Sequence, residues 1–214
     1  VLERLHARGI FSLVLVRKFW NWTQISWSLR ISTGNSSSPR SLGPEEWRFL
    51  AGSYDAALGM VDHELGQMLA SPELAPFTEE GIVAVTSDHG EELGEHGYFG
   101  HTVRFSEELL RVPLLIGLPG SGGGGCIEAM VCHLDLAPTL LDACSLPAEG
   151  GFAGRSFLGL MDDRAAAFEE RPVVVEALIG GKELACAVRT RRHKLAQHSR
   201  ELYDLEADPG ETVN

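Results

Sequence analysis

The sequence predicts an α/β protein: a mostly parallel sheet flanked by helices, followed by a small antiparallel β subdomain. Two observations carry this. Apolar runs at 9–16, 82–87 and 112–118 are short, rich in β-branched residues and bounded by turn residues, as strands buried on both faces are. Helical periodicity separates and follows them, and beyond Pro147 the pattern changes to short alternating stretches. The expected division is a partial α/β domain at 1–147 and an antiparallel subdomain at 148–214.

The first strand, 9–16, is followed by a Ser/Gly/Pro-rich surface loop at 30–43. Pro44-Glu45-Glu46 then opens a long helix, since Trp47, Leu50, Ala51, Tyr54, Leu58, Val61, Leu65 and Met68 recur at three- and four-residue steps and acidic residues lie at its start. Pro72 limits its end. After a loop at 72–81 comes the strand 82–87, stopped by Asp88-His89-Gly90, and then the strand 112–118. Asp135 is expected to cap a short helix at 136–144, with Pro138 tolerated in its first turn. Segments 173–176, 184–190 and 193–197 read as a small antiparallel sheet, and 162–171 as a solvated loop or helical turn.

Composition narrows the function classes. The chain has 214 residues, 44% of them hydrophobic, which is ample for a core. Its 18 Lys+Arg against 30 Asp+Glu leave a net charge of −12, the wrong sign for neutralising nucleic-acid phosphates or an anionic membrane surface. No apolar run approaches the roughly 20 residues of a spanning helix, so no membrane span is expected. Cys126, Cys132, Cys144 and Cys186 are too few for a disulfide scaffold and form no C-x-x-C pair; they are expected as small buried hydrophobes, with a single disulfide as the alternative.

Chemistry concentrates in SDHGEELGEHGYFGH, 87–101. An Asp and a His at the carboxyl end of a strand lie where open α/β sheets bind ligands. Once the chain turns at Gly90, a carboxylate oxygen of Asp88 and an imidazole nitrogen of His89 can converge on one cation. Three glycines let the backbone fold back before His101, and a histidine there can protonate a leaving group or face an anion. On spacing alone another reading stays open, with Asp88 as an N-cap and His96 and His101 as loop histidines. Asp62-His63 repeats the dipeptide in mid-helix, where it reads as an exposed face.

The run 87–101, continuing as SEELLRVPLLI, resembles the second signature region of the sulfatases, members of the alkaline phosphatase superfamily. Tyr54-Asp55 through Asp62 and Leu65-Gly66 is similar to the family's helix before that strand. HLDLAPTLLDACSLP, 133–147, resembles its D-x-x-P-T-L-L segment, and ELYDL followed by Asp208-Pro209-Gly210-Glu211 and Asn214 resembles its C-terminal signature. The resemblance implies an alkaline phosphatase-like fold and hydrolysis of a sulfate monoester. By the same likeness Asp88 and His89 match ligands of a divalent cation, calcium in most members, with manganese compatible with a histidine ligand. His101 matches a position that contacts the sulfate or assists the leaving group, and His96 a substrate-side histidine. A small-molecule or carbohydrate sulfate ester and an extracytoplasmic location follow from the same resemblance, as does a structural role for ELYDL. A phosphodiester or phosphonate monoester hydrolase of the same superfamily, or an inactive sulfatase-like module, are the alternatives.

Two departures matter. The C-x-P-x-R or S-x-P-x-R motif that matures to formylglycine in sulfatases is absent: no cysteine has that context, and Ser38-Pro39-Arg40 lacks its spacing. The nucleophile is therefore expected upstream of Val1, the chain being a fragment. No histidine occurs in 17–30, where relatives commonly carry one.

Overall fold

In a computed structural model of the chain, the described residues are 43–101, 104–121, 124–148, 150–161, 168–179, 183–197 and 199–213. The expected strand 9–16, most of the loop 30–43 and the segment 17–30 lie outside them. The described residues form two compact units, one of 43–83 with 92–101 and one of 84–91 with 104–213.

The first unit is built on α1, Pro44–Leu69. Pro44 starts it, where a missing N–H costs nothing, and the Glu46 carboxylate accepts the Gly43 N–H at 2.7 Å. Leu50 is buried, whereas Leu58 and Val61 of the expected stripe are exposed. Asp62 and His63 lie on the exposed face, where His63 meets Gln67 one turn on, at 2.8 Å. The 72–81 segment holds a short helix, α2, Ala75–Glu80, where a loop was expected; Pro76 sits in its first turn and Thr78 bonds back to the Ala75 carbonyl. Beyond it, β2 (Glu92–Leu93) and β3 (Phe99–Gly100) form a two-residue antiparallel ladder. Gly94 makes their turn possible, having φ +116° and no room for a side chain: a Cβ would lie 2.8 Å from the Trp47 ring.

The strand that links the units, β1 (Val83–Thr86), continues into the second, where β4 (Leu114–Gly117) is its hydrogen-bonded neighbour. Neither is buried on both faces as expected. Both alternate between half-buried and exposed residues, because the two-residue period sends successive side chains to opposite faces and one face is open here. A single helical turn not anticipated from the sequence, α3 (Glu107–Leu110), precedes β4.

The following helix corrects the sequence reading. It is α4, His133–Ala143, and Cys132, not Asp135, is its N-cap residue. Asp135 is the third helical residue; its carboxylate reaches back to the Cys132 N–H at 3.0 Å. Pro138 consequently lies in the second turn. Asp135 is also a hub, 2% exposed, accepting from the Arg155 amide at 2.9 Å and from the Arg171 guanidinium at 2.8 Å. Nearby, Thr139 donates to the Asp135 carbonyl and accepts from the Phe157 amide. Arg171 and Glu170, which accepts the Met130 amide, therefore tie part of the presumed solvated loop to the body of the unit.

The C-terminal sheet is an antiparallel meander of four strands: β5 (Val173–Ile179), β6 (Glu183–Arg189), β7 (His193–Ala196) and β8 (Glu201–Asp204). Glu201–Asp204 of ELYDL form one of its two edge strands. Its inner face is floored by Ala185, Ala187 and Ala196, small enough for Phe105 to pack on them with Leu110, Val175 and Ala177. The sheet thus shares its core with residues before 147. All four cysteines are free, with Cys126 exposed and the others half-buried rather than buried. Among the described residues no helix is long and apolar enough to cross a membrane.

The Asp135 hub makes stability pH-dependent. Burial alone would raise its pKa, but the Arg155 and Cys132 amides and the Arg171 guanidinium hold it below the ordinary carboxylate range. Ionised Asp135 then stabilises the fold above its unfolded-state pKa, and the contribution is lost as pH falls through the folded-state value. Urea unfolding followed against pH is expected to show stability falling below about pH 4. Asp135→Asn is expected to flatten that fall and to cost about 1–3 kcal/mol at neutral pH, since an amide cannot accept from all the donors gathered there and carries no charge to match Arg171.

Candidate functional site

The second unit turns sharply at the end of β1, and three hydrogen bonds shape the turn. Thr86 Oγ1 donates to the Pro113 carbonyl at 2.8 Å, His133 Nε2 at the start of α4 donates to the Ser87 carbonyl at 2.8 Å, and the Gly90 N–H donates to the Leu109 carbonyl at 2.9 Å. The chain at Gly90 runs so close to α3 that a Cβ there would sit 1.8 Å from the Glu108 carbonyl oxygen. Only glycine fits. The abrupt stop after 87 that the sequence suggests is thus a contact between two backbones.

Asp88 and His89 project from this turn, both exposed. The His89 N–H donates to Asp88 Oδ1 at 3.0 Å, leaving Oδ2 3.9 Å from His89 Nε2. His89 Nδ1 lies 2.8 Å from the Gly90 carbonyl oxygen. A carbonyl only accepts, so Nδ1 carries the proton, and in the neutral ring Nε2 is the nitrogen with a lone pair. This is the arrangement a metal-ligating histidine takes when a carbonyl fixes its tautomer.

The pair fits a divalent cation by its donor set. One carboxylate oxygen and one imidazole nitrogen stand 3.9 Å apart, and donors on a common ion, at bonds of roughly 2.0–2.6 Å, are separated by about 3–4 Å. The set of hard oxygen with borderline nitrogen is compatible with calcium and, through the imidazole, with manganese. Glu91, which the sequence reading did not select, has a carboxylate oxygen within 4.8 Å of a His89 ring nitrogen. Its signal was there in the run of acidic residues after Gly90. His133 was also passed over, since only the fold brings it to Ser87.

His96 and His101 belong to the first unit. His96, half-buried, occupies the turn between β2 and β3, and His101, exposed, follows β3 directly. The hairpin doubles back at Gly94, Gly97 and Gly100, all with positive φ. The structure thus brings Asp88 and His89 together in one unit and places His96 and His101 on one hairpin in the other.

Fold and turn together define a class of protein, α/β proteins with an Asp-His pair at a strand terminus. The Sulfatase family profile matches residues 34–146, and that of the N-sulphoglucosamine sulphohydrolase C-terminal region matches 94–214. This chain belongs to the sulfatase family. Arylsulfatase K of Gallus gallus is 28% identical over 213 residues, 92% of this chain and 40% of that protein. A solved 2-O GAG sulfatase has a TM-score of 0.72 at 24% identity, covering 80% of this chain and 39% of its own. A protein solved with its substrate D-glucosamine-2-N,6-O-disulfate has a TM-score of 0.63 at 29% identity, covering 72% of this chain and 33% of its own. The phosphonate monoester hydrolase of Agrobacterium radiobacter shares the fold, with a TM-score of 0.62 at 24% identity over 72% of this chain and 34% of its own. The alkaline phosphatase-like fold is therefore established. The chain spans about a third of the length of several curated relatives it matches.

Gly90→Ala tests the turn. The added methyl has backbone on its far side and cannot swing away, so a loss of about 3 kcal/mol or more in urea unfolding is expected, at the upper end for overpacked sites.

Proposed function

We propose that the whole protein hydrolyses sulfate monoesters of small molecules or carbohydrates. This chain would supply two cation ligands, Asp88 and His89, and two substrate-side histidines, His101 and His96. The proposed division is a partial α/β domain at 1–147 and a C-terminal subdomain at 148–214. The formylglycine nucleophile is proposed to lie in sequence preceding Val1, and the protein to act outside the cytoplasm, as the family resemblance suggests. The observation that supports the reading most is the 3.9 Å separation of Asp88 Oδ2 and His89 Nε2 at a strand terminus.

The residues have distinct tasks. Asp88 and His89 hold the cation, calcium first and manganese second, with the Gly90 carbonyl keeping the His89 proton on Nδ1. When bound, such a cation neutralises charge on the ester oxygens and on the nucleophile. His101, protonated on its imidazole, donates either to a non-bridging oxygen or to the departing alkoxide. His96 contributes a polar contact to the substrate.

Expression of the full-length protein and assay against an aryl sulfate, a phosphodiester and a phosphonate monoester tests this. Sulfate turnover should dominate; Asp88→Asn and His89→Ala should each lower it at least ~100-fold, and His101→Ala should lower it by ~10²–10⁴. The reading fails if the phosphonate is the better substrate or if Asp88→Asn is as active as wild type. The isolated 214 residues, lacking a formylglycine motif, should show no saturable aryl sulfate hydrolysis.

A further inference from the structure

A second polar cluster in the same unit is tied to the turn by an unbroken series of contacts. Lys194 on β7 is 1% exposed, an environment that excludes an ammonium unless it is paired. Its Nζ donates to the Phe105 carbonyl, pairs with the Glu211 carboxylate and lies 3.6 Å from Glu107 Oε1. Glu211, itself buried, accepts the Glu107 N–H on Oε2 at 2.8 Å. Arg189 on β6 completes the cluster, with Nε and a terminal nitrogen on the two Glu107 oxygens at 3.0 and 2.8 Å.

All of these contacts fasten one short stretch, 105–107. The main chain is held at the Phe105 carbonyl and the Glu107 N–H, and the side chain of Glu107 is held by two cations. The fastened stretch leads into α3, a single turn that has no stability of its own. Two residues on, the Leu109 carbonyl accepts the Gly90 N–H, and Gly90 in turn offers its carbonyl to His89 Nδ1. Glu211 adopts φ +51°, a conformation a non-glycine residue keeps only where its surroundings over-determine it.

We infer that Lys194 and Glu211 are positioning residues for His89: their buried cluster fixes the turn at 105–110, and that turn sets the Gly90 carbonyl that orients the imidazole. The inference rests on the reading that Asp88 and His89 hold a divalent cation. Neither is proposed as a ligand; each acts through the 105–110 stretch. A coupling of this kind needs a physical connection, and here hydrogen bonds and ion pairs between named groups are joined by the main chain of 107–109.

The test uses the full-length protein, stripped of metal and titrated calorimetrically with calcium alone and manganese alone. Wild type, His89→Ala, Lys194→Met, Glu211→Gln and Thr139→Val are compared, and amide exchange is followed by mass spectrometry on the peptide containing Gly90. Thr139→Val removes buried hydrogen bonds around α4 and serves as the stability control. Lys194→Met and Glu211→Gln are expected to weaken cation binding ~10-fold or more, as loss of outer-shell partners does. They should also accelerate exchange at Gly90, whereas Thr139→Val should lower the melting temperature without moving either readout. If Lys194→Met does not fold, the near-isosteric Glu211→Gln decides. Wild-type cation affinity and Gly90 exchange in a folded Lys194→Met or Glu211→Gln, alongside lost binding in His89→Ala, would overturn this inference and leave the metal reading intact. Absence of binding in wild type, or undiminished binding in His89→Ala, would sink both.

Discussion

The close passage of Gly90 against the single turn α3 is the constraint on which the Asp-His pair depends. A residue with any side chain would push the two backbones apart by more than an ångström, because its Cβ would overlap the Glu108 carbonyl. With glycine in place, the Gly90 N–H meets the Leu109 carbonyl and its own carbonyl is turned back toward His89. The imidazole orientation, and the nitrogen that keeps its lone pair, follow from that one backbone contact. The carboxylate beside it is set even more locally, since Asp88 Oδ1 accepts the next N–H in the chain.

The cluster beneath α3 solves a different problem. The inner face of the C-terminal sheet is floored with alanines, which allow close approach but offer little shape to register one segment against another. Directional contacts supply what the flat floor lacks. Glu107 and Glu211 are matched in charge by Arg189 and Lys194, so this cluster buries its charges in pairs. Burial alone would raise the pKa of Glu107, and the two cations outweigh it and hold it below the ordinary range. Arg192 and Asp204 form the exposed counterpart at the far edge of the sheet, where the guanidinium lowers the Asp204 pKa to about 2. Exposed to solvent, that pair adds little to stability.

How much of this was legible in the sequence depended on the range of the interaction. Helix α1, the strands β1 and β4 and three strands of the C-terminal meander follow from periodicity, a local property. The start of α4 was misplaced by three residues because Asp135 has the side chain of a cap and serves instead as the third residue of the capping box. What it does beyond that, receiving Arg155 and Arg171 from positions 20 and 36 residues away, leaves no local mark. The same limit applies at the site. The Asp88-His89-Gly90 tripeptide shows in the sequence as a motif, and its family likeness shows with it. The reason glycine is third does not show, since the partner backbone lies at 108–109. His133, 46 residues from the carbonyl it holds, was equally invisible. The expected double burial of β1 failed for a related reason, because the apolar run encodes what a strand can bury and the packing around it determines what it does.

The residues proposed for the site set the charge class of the substrate more firmly than its central atom. A divalent cation held as proposed by Asp88, with its single negative charge, and by the His89 ring would leave a net positive centre. Such a centre would favour a tetrahedral ester anion over a neutral ester. A sulfate monoester and a phosphonate monoester both carry one negative charge and present oxygens at similar spacing, so electrostatics alone separates them weakly. Discrimination must then come from the nucleophile, which this chain's motifs do not include, and from contacts to the leaving group. Sulfatases and phosphonate monoester hydrolases share this fold, which accords with the proposed division, in which the strand-end pair would neutralise charge and residues elsewhere would select which ester is cleaved.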